Sequence, residues 1–346
     1  MPQPPKFLYA VCQKGAEPAL KAEMARLRPS FRFAFSRPGF LTYKLPEDHG
    51  LAADFDLQSV FARTYGFSLG KATGESLDEL IAGANDLIGD LSPDRVHVFE
   101  RDNEVPGDNG FEPGPTEASR SAEALFAGVN GQAAKRGETV LDCVLVEPKE
   151  WWLGYHRARW LPSCWPGGVP PIELPQEAVA RAWLKMEEAL LWSRFPIGAR
   201  ARCVEIGSAP GGASQALLAR GCELTGVDPA EMDAVVLSHP NFRHLRSRAR
   251  YVRRREFRKT RWLMADMNVA PSNTLDVVEE VVTHPEVHVR GMLLTLKLSS
   301  WNLAEQIPNW FDRVRGWGFN QVRARQLAFN RREICVVALK KPFRRG

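Results

Sequence analysis

The chain has no apolar run of about 18 residues, the length that crosses a bilayer core, so no membrane span is expected. Its first residues, "MPQPPKFLYAV", contain no apolar stretch of signal-peptide length. Cysteine is scarce: Cys12, Cys143, Cys164, Cys203, Cys222 and Cys335 are scattered and never form a CxxC. That spacing argues against a disulfide framework and against a metal site, and it suits reduced thiols in a cytoplasm. The sequence also lacks Gly-x-Gly-x-x-Gly and any Gly-Lys-Ser/Thr. A P-loop is therefore excluded, and a nicotinamide site is disfavoured because a pyrophosphate needs glycines spaced to bare a helix N-terminus. There is no internal repeat and no low-complexity tract.

Positive charge is present but unevenly spread. The net charge is only +5, yet "RHLRSRARYVRRREFRKTR", residues 243–261, holds ten Lys/Arg and one acid. Like charges in a run repel one another and mark a segment for a polyanion. The plainer reading is a solvated loop without a partner. The candidate polyanion contacts are Arg246, Arg250, Arg253, Arg254, Arg255, Arg258 and Lys259.

At 346 residues the chain is too long for one core of ordinary size, so at least two domains are expected. "GDNGFEPGP" from Gly107 is a turn-rich break. "LPSCWPGGVPPIELP", 161–175, is a stronger one, with five prolines, and the main boundary is expected there. Before it, "FLYAVC", "FRFAF", "GFLTYKL" and "RVHVFE" read as strands, and "AEPALKAEMARL", "SLDELIAGANDLI" and "EASRSAEALFAGV" as helices. "TVLDCVLVEPKEWWLGYHRA" reads as a hairpin turning at Pro-Lys. This half shows no acid/base pair and no phosphate loop, so binding or positioning is its expected task.

After the boundary, a helix over 176–195 precedes strands expected at 202–206, 223–227, 261–265, 290–296 and 333–339. Helices at 212–220, 273–283 and 302–316 alternate with them. That rhythm predicts an α/β, doubly wound, mostly parallel sheet whose ligand sits beyond the carboxyl ends of the strands. "CVEIGSAPGG" lies where that rule puts the ligand. The loop residues Gly207, Ser208, Ala209, Pro210, Gly211 and Gly212 carry little bulk, so backbone can approach a ligand closely. S-adenosyl-L-methionine suits such a loop, because its methionine half carries no phosphate. Its ribose hydroxyls want an acid after the next strand, and "GVDPAEMD" supplies Asp228. Glu205 precedes the loop and is placed to orient the ligand. A tight turn with a helix cap would use the same residues.

"LKMEEAL" (184–190), "VEIGSAPGG", "GVDPAEMD", "WLMADM" (262–267), "LLTLKLS" (293–299) and "NRREICV" (330–336) follow one another in order. Together they resemble the RlmM branch of the FtsJ-type RNA ribose 2′-O-methyltransferases. "FLYAVCQKGAEPALKAEM" and "SVFARTYGF" resemble that family's N-terminal region, which carries a THUMP RNA-binding module. The resemblance implies a ferredoxin-like α+β subdomain over 1–65, a THUMP-like module over 66–160, a linker over 161–175 and a Rossmann-like methyltransferase domain over 176–346. It implies S-adenosyl-L-methionine as cofactor, RNA as partner, a cytidine of large-subunit ribosomal RNA as target, and a cytoplasmic protein that engages neither DNA nor membrane. It also carries the family's Lys-Asp-Lys-Glu set onto Lys185, Asp266, Lys297 and Glu333, with Asp266 also touching the cofactor.

The chemistry accounts for those residue types. A ribose hydroxyl is a weak acid, and a sulfonium methyl is already activated, so catalysis needs alignment and proton removal. Lys297 is the expected general base, which requires its pKa to fall; Lys185 and a closed site would lower it, while Asp266 and Glu333, expected to hold both ammonium groups, oppose that fall and leave open a proton loss that follows the start of methyl transfer. A lysine inside the apolar strand "LLTLKLS" is costly unless used. The chain departs from the family pattern in three places. Ala209 and Ala213 replace a cysteine and an aromatic around the Pro-Gly-Gly, Ala180 replaces a serine, and the place of an adenine-side acid falls near Ala249. A methyltransferase-like RNA-binding assembly factor without turnover, or a small-molecule methyltransferase, are the rival readings. Methyl transfer to total RNA separates them.

Overall fold

The computed structural model describes residues 5–126 and 133–340, and the chain divides into two compact units that meet at Pro171 and Ile172. The last residues of the helix expected over "EASRSAEALFAGV" lie outside the described residues. Among the described residues no helix is long and apolar enough to cross a membrane.

The first unit is built on one seven-stranded sheet of order β2-β3-β1-β4-β7-β6-β5. The strands are β1 (Phe7–Val11), β2 (Arg32–Arg37), β3 (Phe40–Lys44), β4 (Thr64–Thr73), β5 (Arg95–Glu100), β6 (Thr139–Glu147) and β7 (Glu150–Arg157). Neighbours are antiparallel except for β5 and β6. The β2–β3 hairpin turns at Gly39, whose φ of 76° lies in the left-handed region that a side chain disfavours. The β6–β7 hairpin turns at Pro148 and Lys149, as its sequence predicts. Helices α1 (Glu17–Leu27), α2 (Leu77–Ile88) and α3 (Glu117–Glu123) complete the unit. Ser76 caps α2 by accepting from the Glu79 amide. Leu80 and Ala84 of α2 pack on Val96, Leu141, Trp151 and Leu153. Strand β4 pairs with β1 on one side and β7 on the other, so the single sheet runs through residue 65.

The second unit holds another seven-stranded sheet, of order β10-β9-β8-β11-β12-β14-β13. Its strands are β8 (Arg202–Ile206), β9 (Glu223–Val227), β10 (Phe242–Leu245), β11 (Trp262–Asp266), β12 (Gly291–Lys297), β13 (Gln321–Arg325) and β14 (Glu333–Leu339). The helices are α4 (Ala182–Ser193), α5 (Gly212–Ala219), α6 (Ala234–Leu237), α7 (Pro271–Val282) and α8 (Ile307–Gly316). From β10 to β12 the pairing is parallel. Strand β14 runs antiparallel between β12 and β13.

The chain leaves β8 toward β9 and β10, then returns to β11 on the other side of β8. The switch point therefore lies between β8 and β11, where a crevice opens at the carboxyl ends of the strands. Strands β10 and β13 were not among those expected from the sequence. Both are sheet edges, and "FRHL" and "QVRAR" carry polar residues where a central strand would be continuously apolar. The helix expected over 302–316 is a 3-10 segment, Trp301–Gln306, followed by α8, with Pro308 in the first turn of α8. Helix α4 starts at Ala182 rather than at residue 176 and stops at Arg194, which adopts a φ of 56°.

Candidate active site at the carboxyl edge of the second sheet

The four residues of the Lys-Asp-Lys-Glu set come from four separate elements. Asp266 ends β11, Lys297 ends β12, Glu333 begins β14, and Lys185 sits in the first turns of α4. Strand direction explains the meeting. Because β14 is antiparallel to β12, the first residue of one pairs with the last of the other, Glu333 with Lys297. Parallel β11 delivers Asp266 to the same edge, opposite Thr295.

The side chains close into a ring of alternating charge. The Lys185 ammonium donates to Asp266 Oδ2 at 2.7 Å and to Glu333 Oε1 at 3.0 Å. The Lys297 Nζ lies 3.0 Å from Asp266 Oδ1 and also donates to Glu333 Oε2. The Asn330 amide donates to Glu333 Oε1 at 3.3 Å. The ring carries two positive and two negative groups, which is how ionised side chains remain tolerable in a partly buried site. Its members differ in access: the Lys297 side chain is 25% exposed and that of Lys185 16%. Lys297 is thus the more exposed of the two ammonium groups, while Lys185 is the one that lines the adjoining cavity.

Electrostatics sort the four further. Burial alone would pull the Lys185 ammonium down, but Asp266 and Glu333 outweigh it and hold its pKa above the ordinary lysine value. Burial would push Asp266 up, yet Lys185 and Lys297 hold its carboxyl below the usual range. The same opposition lowers Glu333, with burial outweighed by Lys185 and Lys297. Lys185 thus stays protonated, and both carboxylates stay charged.

The glycine loop sits beside this ring, between β8 and α5. Gly207 has a φ of 82°, and a Cβ there would run into the Asp266 backbone carbonyl. Gly211 has a φ of 124°, and a Cβ there would come within 2.7 Å of Val236. Both positions need glycine for conformation and for room. Helix α5 has no side-chain cap, so its first-turn amides are left to other acceptors. Asp228, just past β9, accepts from the Ala209 amide at 3.2 Å and the Ala230 amide at 2.8 Å. It braces the loop while remaining half-buried at its mouth.

Ser208 turns its hydroxyl to the Met232 sulfur, 3.4 Å away, and is buried. Glu205 is buried and accepts from the Ser214 hydroxyl at 2.5 Å. Burial and the Asp266 and Asp228 charges push its carboxyl up to about 8, against the Ser214 hydrogen bond. Glu205, Lys185, Asp266, Thr295 and Asn330 line one cavity, together with apolar residues such as Met264.

The basic run does not form a single patch. Arg246 lies at the carboxyl edge, where it donates to the Pro229 carbonyl and pairs with Glu231. Arg261 lies at the opposite edge, its amide bonded to the carbonyl of Arg202, the first residue of β8. Arg258 pairs with Glu286, and Arg255 with Glu256. Arg254 pairs with Glu280 at 2.6 Å and donates to the Ala249 and Val252 carbonyls. Arg250, Arg253 and Lys259 are exposed.

Sequence reasoning missed Asn330, Thr295 and Glu188. Asn330 stands three residues before Glu333, a spacing too short to be a signal by itself. Glu188 follows Lys185 by one helical turn. Its buried carboxylate accepts from the Ala328 and Phe329 amides at 2.8 and 3.0 Å, tying α4 to the loop that precedes Glu333.

Residues 178–308 match the model of the FtsJ-like methyltransferase family, a span that includes Lys185, the glycine loop, Asp228, Asp266 and Lys297. The chain is 30% identical over 184 residues to the ribosomal RNA large subunit methyltransferase M of Halorhodospira halophila, with 52% of each chain covered. It is 27% identical over 194 residues to the protein of the same name from Azotobacter vinelandii, covering 52% of this chain and 53% of that one. The chain thus matches about half the length of these curated relatives. Among solved structures, TrmN from Thermus thermophilus aligns over 96% of this chain and 99% of its own, with a TM-score of 0.35 and 14% identity, a likeness too slight to bear on function. The matched span lies within the second unit and holds three members of the charged ring, with Glu333 coming from beyond it.

Proposed function

We propose that the protein is an S-adenosyl-L-methionine-dependent RNA ribose 2′-O-methyltransferase acting on large-subunit ribosomal RNA, with a cytidine as its target. The observation that carries this reading is the ring of Lys185, Asp266, Lys297 and Glu333 beside a loop that requires glycine at 207 and 211. Bound at that loop, the cofactor supplies an electrophilic methyl group on a sulfonium.

The chain's own residues do the rest. Backbone of residues 207–212 and the half-buried Asp228 would hold the cofactor, with the Asp228 carboxylate toward the ribose hydroxyls. Lys297, the open ammonium, would take the proton from the 2′-hydroxyl after giving its own to water. Lys185 stays charged and shares both carboxylates with Lys297. Asp266 and Glu333 fix the direction of both Nζ atoms, which is the alignment that a pre-activated methyl demands.

The first unit would bind RNA as a ferredoxin-like part over 1–65 and a THUMP-like part over 66–160, joined through 161–175 to the methyltransferase domain over 176–346. The place of action would be the cytoplasm. The test is transfer of tritium from labelled cofactor to unmodified large-subunit ribosomal RNA, followed by mapping of the modified ribose. Label in a base, or none in RNA, overturns the reading. RNA binding without transfer would point to an assembly factor instead.

A further inference from the structure

Residue 251 is an aromatic side chain left in water. Tyr251 is 69% exposed, the most exposed large apolar or aromatic side chain among the described residues. Three guanidinium groups surround it in sequence: Arg248, Arg250 and Arg253, all exposed and none with an acidic partner among the described residues. Arg250 lies over the tyrosine ring, 5.8 Å from its centroid. Their neighbours in the basic run are each held by an acid, Arg243 by Glu256, Arg246 by Glu231 and Arg254 by Glu280.

The turn that presents Tyr251 is firmly built. It is a single 3-10 turn, Ala249–Tyr251, whose flanking Ala249 and Val252 are buried. Arg254 reaches up from below, donating to the Ala249 carbonyl at 3.3 Å and the Val252 carbonyl at 3.2 Å while its other nitrogen is clamped by Glu280 of α7. The ring is therefore held outward by buried anchors on both sides and a strut beneath, so little order is lost when it is covered. The turn follows the carboxyl end of β10, where Leu245 accepts from the Asp228 amide. It thus belongs to the edge of the sheet that carries the glycine loop. The remainder of the run, toward Arg261, descends to the opposite edge.

We propose that Tyr251 is a stacking platform for a base of single-stranded RNA, with Arg248, Arg250 and Arg253 gripping the phosphates on either side. An exposed aromatic ring recognises the face of a base, and unpaired guanidinium groups around it recognise the backbone on both sides of that base. Tyrosine and arginine also serve protein and membrane interfaces, but this turn stands at the edge of the sheet that carries the glycine loop, where an RNA substrate would have to pass. The proposal rests on the reading of RNA as substrate, and it assigns the grip to four residues out of the longer basic run.

The experiment uses the full chain and a short single-stranded RNA carrying 2-aminopurine. Affinity is measured across a salt series, with calorimetric binding of S-adenosyl-L-methionine as a check that each variant is folded. Tyr251→Ala should weaken RNA binding roughly 5- to 150-fold, the range for losing one stacked base, and abolish 2-aminopurine quenching. It should leave the salt slope in place. Tyr251→Phe keeps the ring and should bind like the wild type. Replacing Arg248, Arg250 and Arg253 by Gln should flatten the slope by about 0.7 for each phosphate contact removed. Wild-type affinity in Tyr251→Ala overturns the platform and leaves the RNA reading standing. Loss in Tyr251→Phe equal to that in Tyr251→Ala overturns stacking in favour of the hydroxyl. Absence of RNA binding by the wild type, with the cofactor bound, defeats the RNA reading itself, and the platform falls with it.

Discussion

Each unit contains a cluster of charged side chains taken largely out of water, and the two clusters are finished differently. In the first unit, Arg63 and Asp102 form a two-pronged pair at 2.7 and 2.6 Å, with Arg63 Nε also donating to the Gly167 carbonyl at 2.8 Å. Both side chains are under 5% exposed. In the same unit, the Tyr9 hydroxyl donates to Asp142, His156 Nδ1 donates to the same oxygen, and His156 Nε2 donates to the Ser163 carbonyl. Burial would lower the His156 pKa, but Asp142 and the Ser163 carbonyl outweigh it and raise it. The second unit's ring has comparable charges and distances, yet a quarter of the Lys297 side chain remains open. A closed cluster is confined to holding loops together, whereas a partly open one leaves an ammonium accessible from solvent.

The sharpest way to break this comparison is at Lys297. Lys297→Ala should lower single-turnover methyl transfer about 10²- to 10⁴-fold, the usual loss for a general base, while cofactor and RNA affinities stay within a few-fold. Lys297→Arg should fail as well, because a guanidinium keeps its proton. Near-wild-type turnover in Lys297→Arg would make the residue a positioning cation only.

The matching cut in the first unit is Asp102→Ala. Leaving Arg63 buried without its carboxylate should cost about 3–5 kcal/mol in urea denaturation, with calorimetric cofactor affinity unchanged. Arg63→Met combined with Asp102→Leu should recover much of that loss, since neither charge is then stranded. If the single variant were as stable as the wild type, the pair would be no more than decoration.

A smaller effect is expected at the loop. Asp228→Ala should weaken cofactor binding by about 1–3 kcal/mol, through lost ligand contacts and through release of the Ala209 and Ala230 amides. Equal affinity would remove Asp228 from the site.

The last expectation is a pH dependence. Glu205 has its carboxyl raised from 4.5 to about 8 in the fold. The folded state therefore binds this proton more tightly than the unfolded one. Its stabilising contribution is complete below the ordinary carboxyl pKa and is lost as pH rises toward 8. Unfolding free energy of the second unit should fall across that window in the wild type, and Glu205→Gln should flatten the fall. An unaltered profile in the variant would mean that another group titrates there.

Much of the second unit was legible because its central strands are apolar on both faces. "CVEI", "WLMA" and "EICVVAL" bury on both sides, so composition alone sets their limits within a residue or so. Edge strands carry no such mark: "FRHL" and "QVRAR" pair on one side and meet solvent on the other. The glycine loop and Asp228 were legible too, since a positive φ beside a strand end leaves its trace as glycine. Of the ring's lysines, Lys297 was legible from its place in an apolar strand, and Lys185 only as a member of an ordered set. Lys185 taken singly is an ordinary helical lysine, and nothing near it in sequence says that it lies 2.7 Å from Asp266. The basic run shows the opposite failure, because ten charges adjacent in sequence turn out to be stretched from one edge of the sheet to the other.

What the sequence determined by itself was therefore local: the apolar central strands, where the backbone must bend into glycine conformations, and which residue types are available for proton transfer. Tertiary structure alone decided which charges meet. The antiparallel return of β14 sets Glu333 opposite Lys297, and α4 brings Lys185 to both carboxylates. Charges attract over a few ångströms, whereas these residues are separated by 36 to 148 positions along the chain. Only the stacking of strands, driven by apolar burial that is indifferent to those charges, closes that distance.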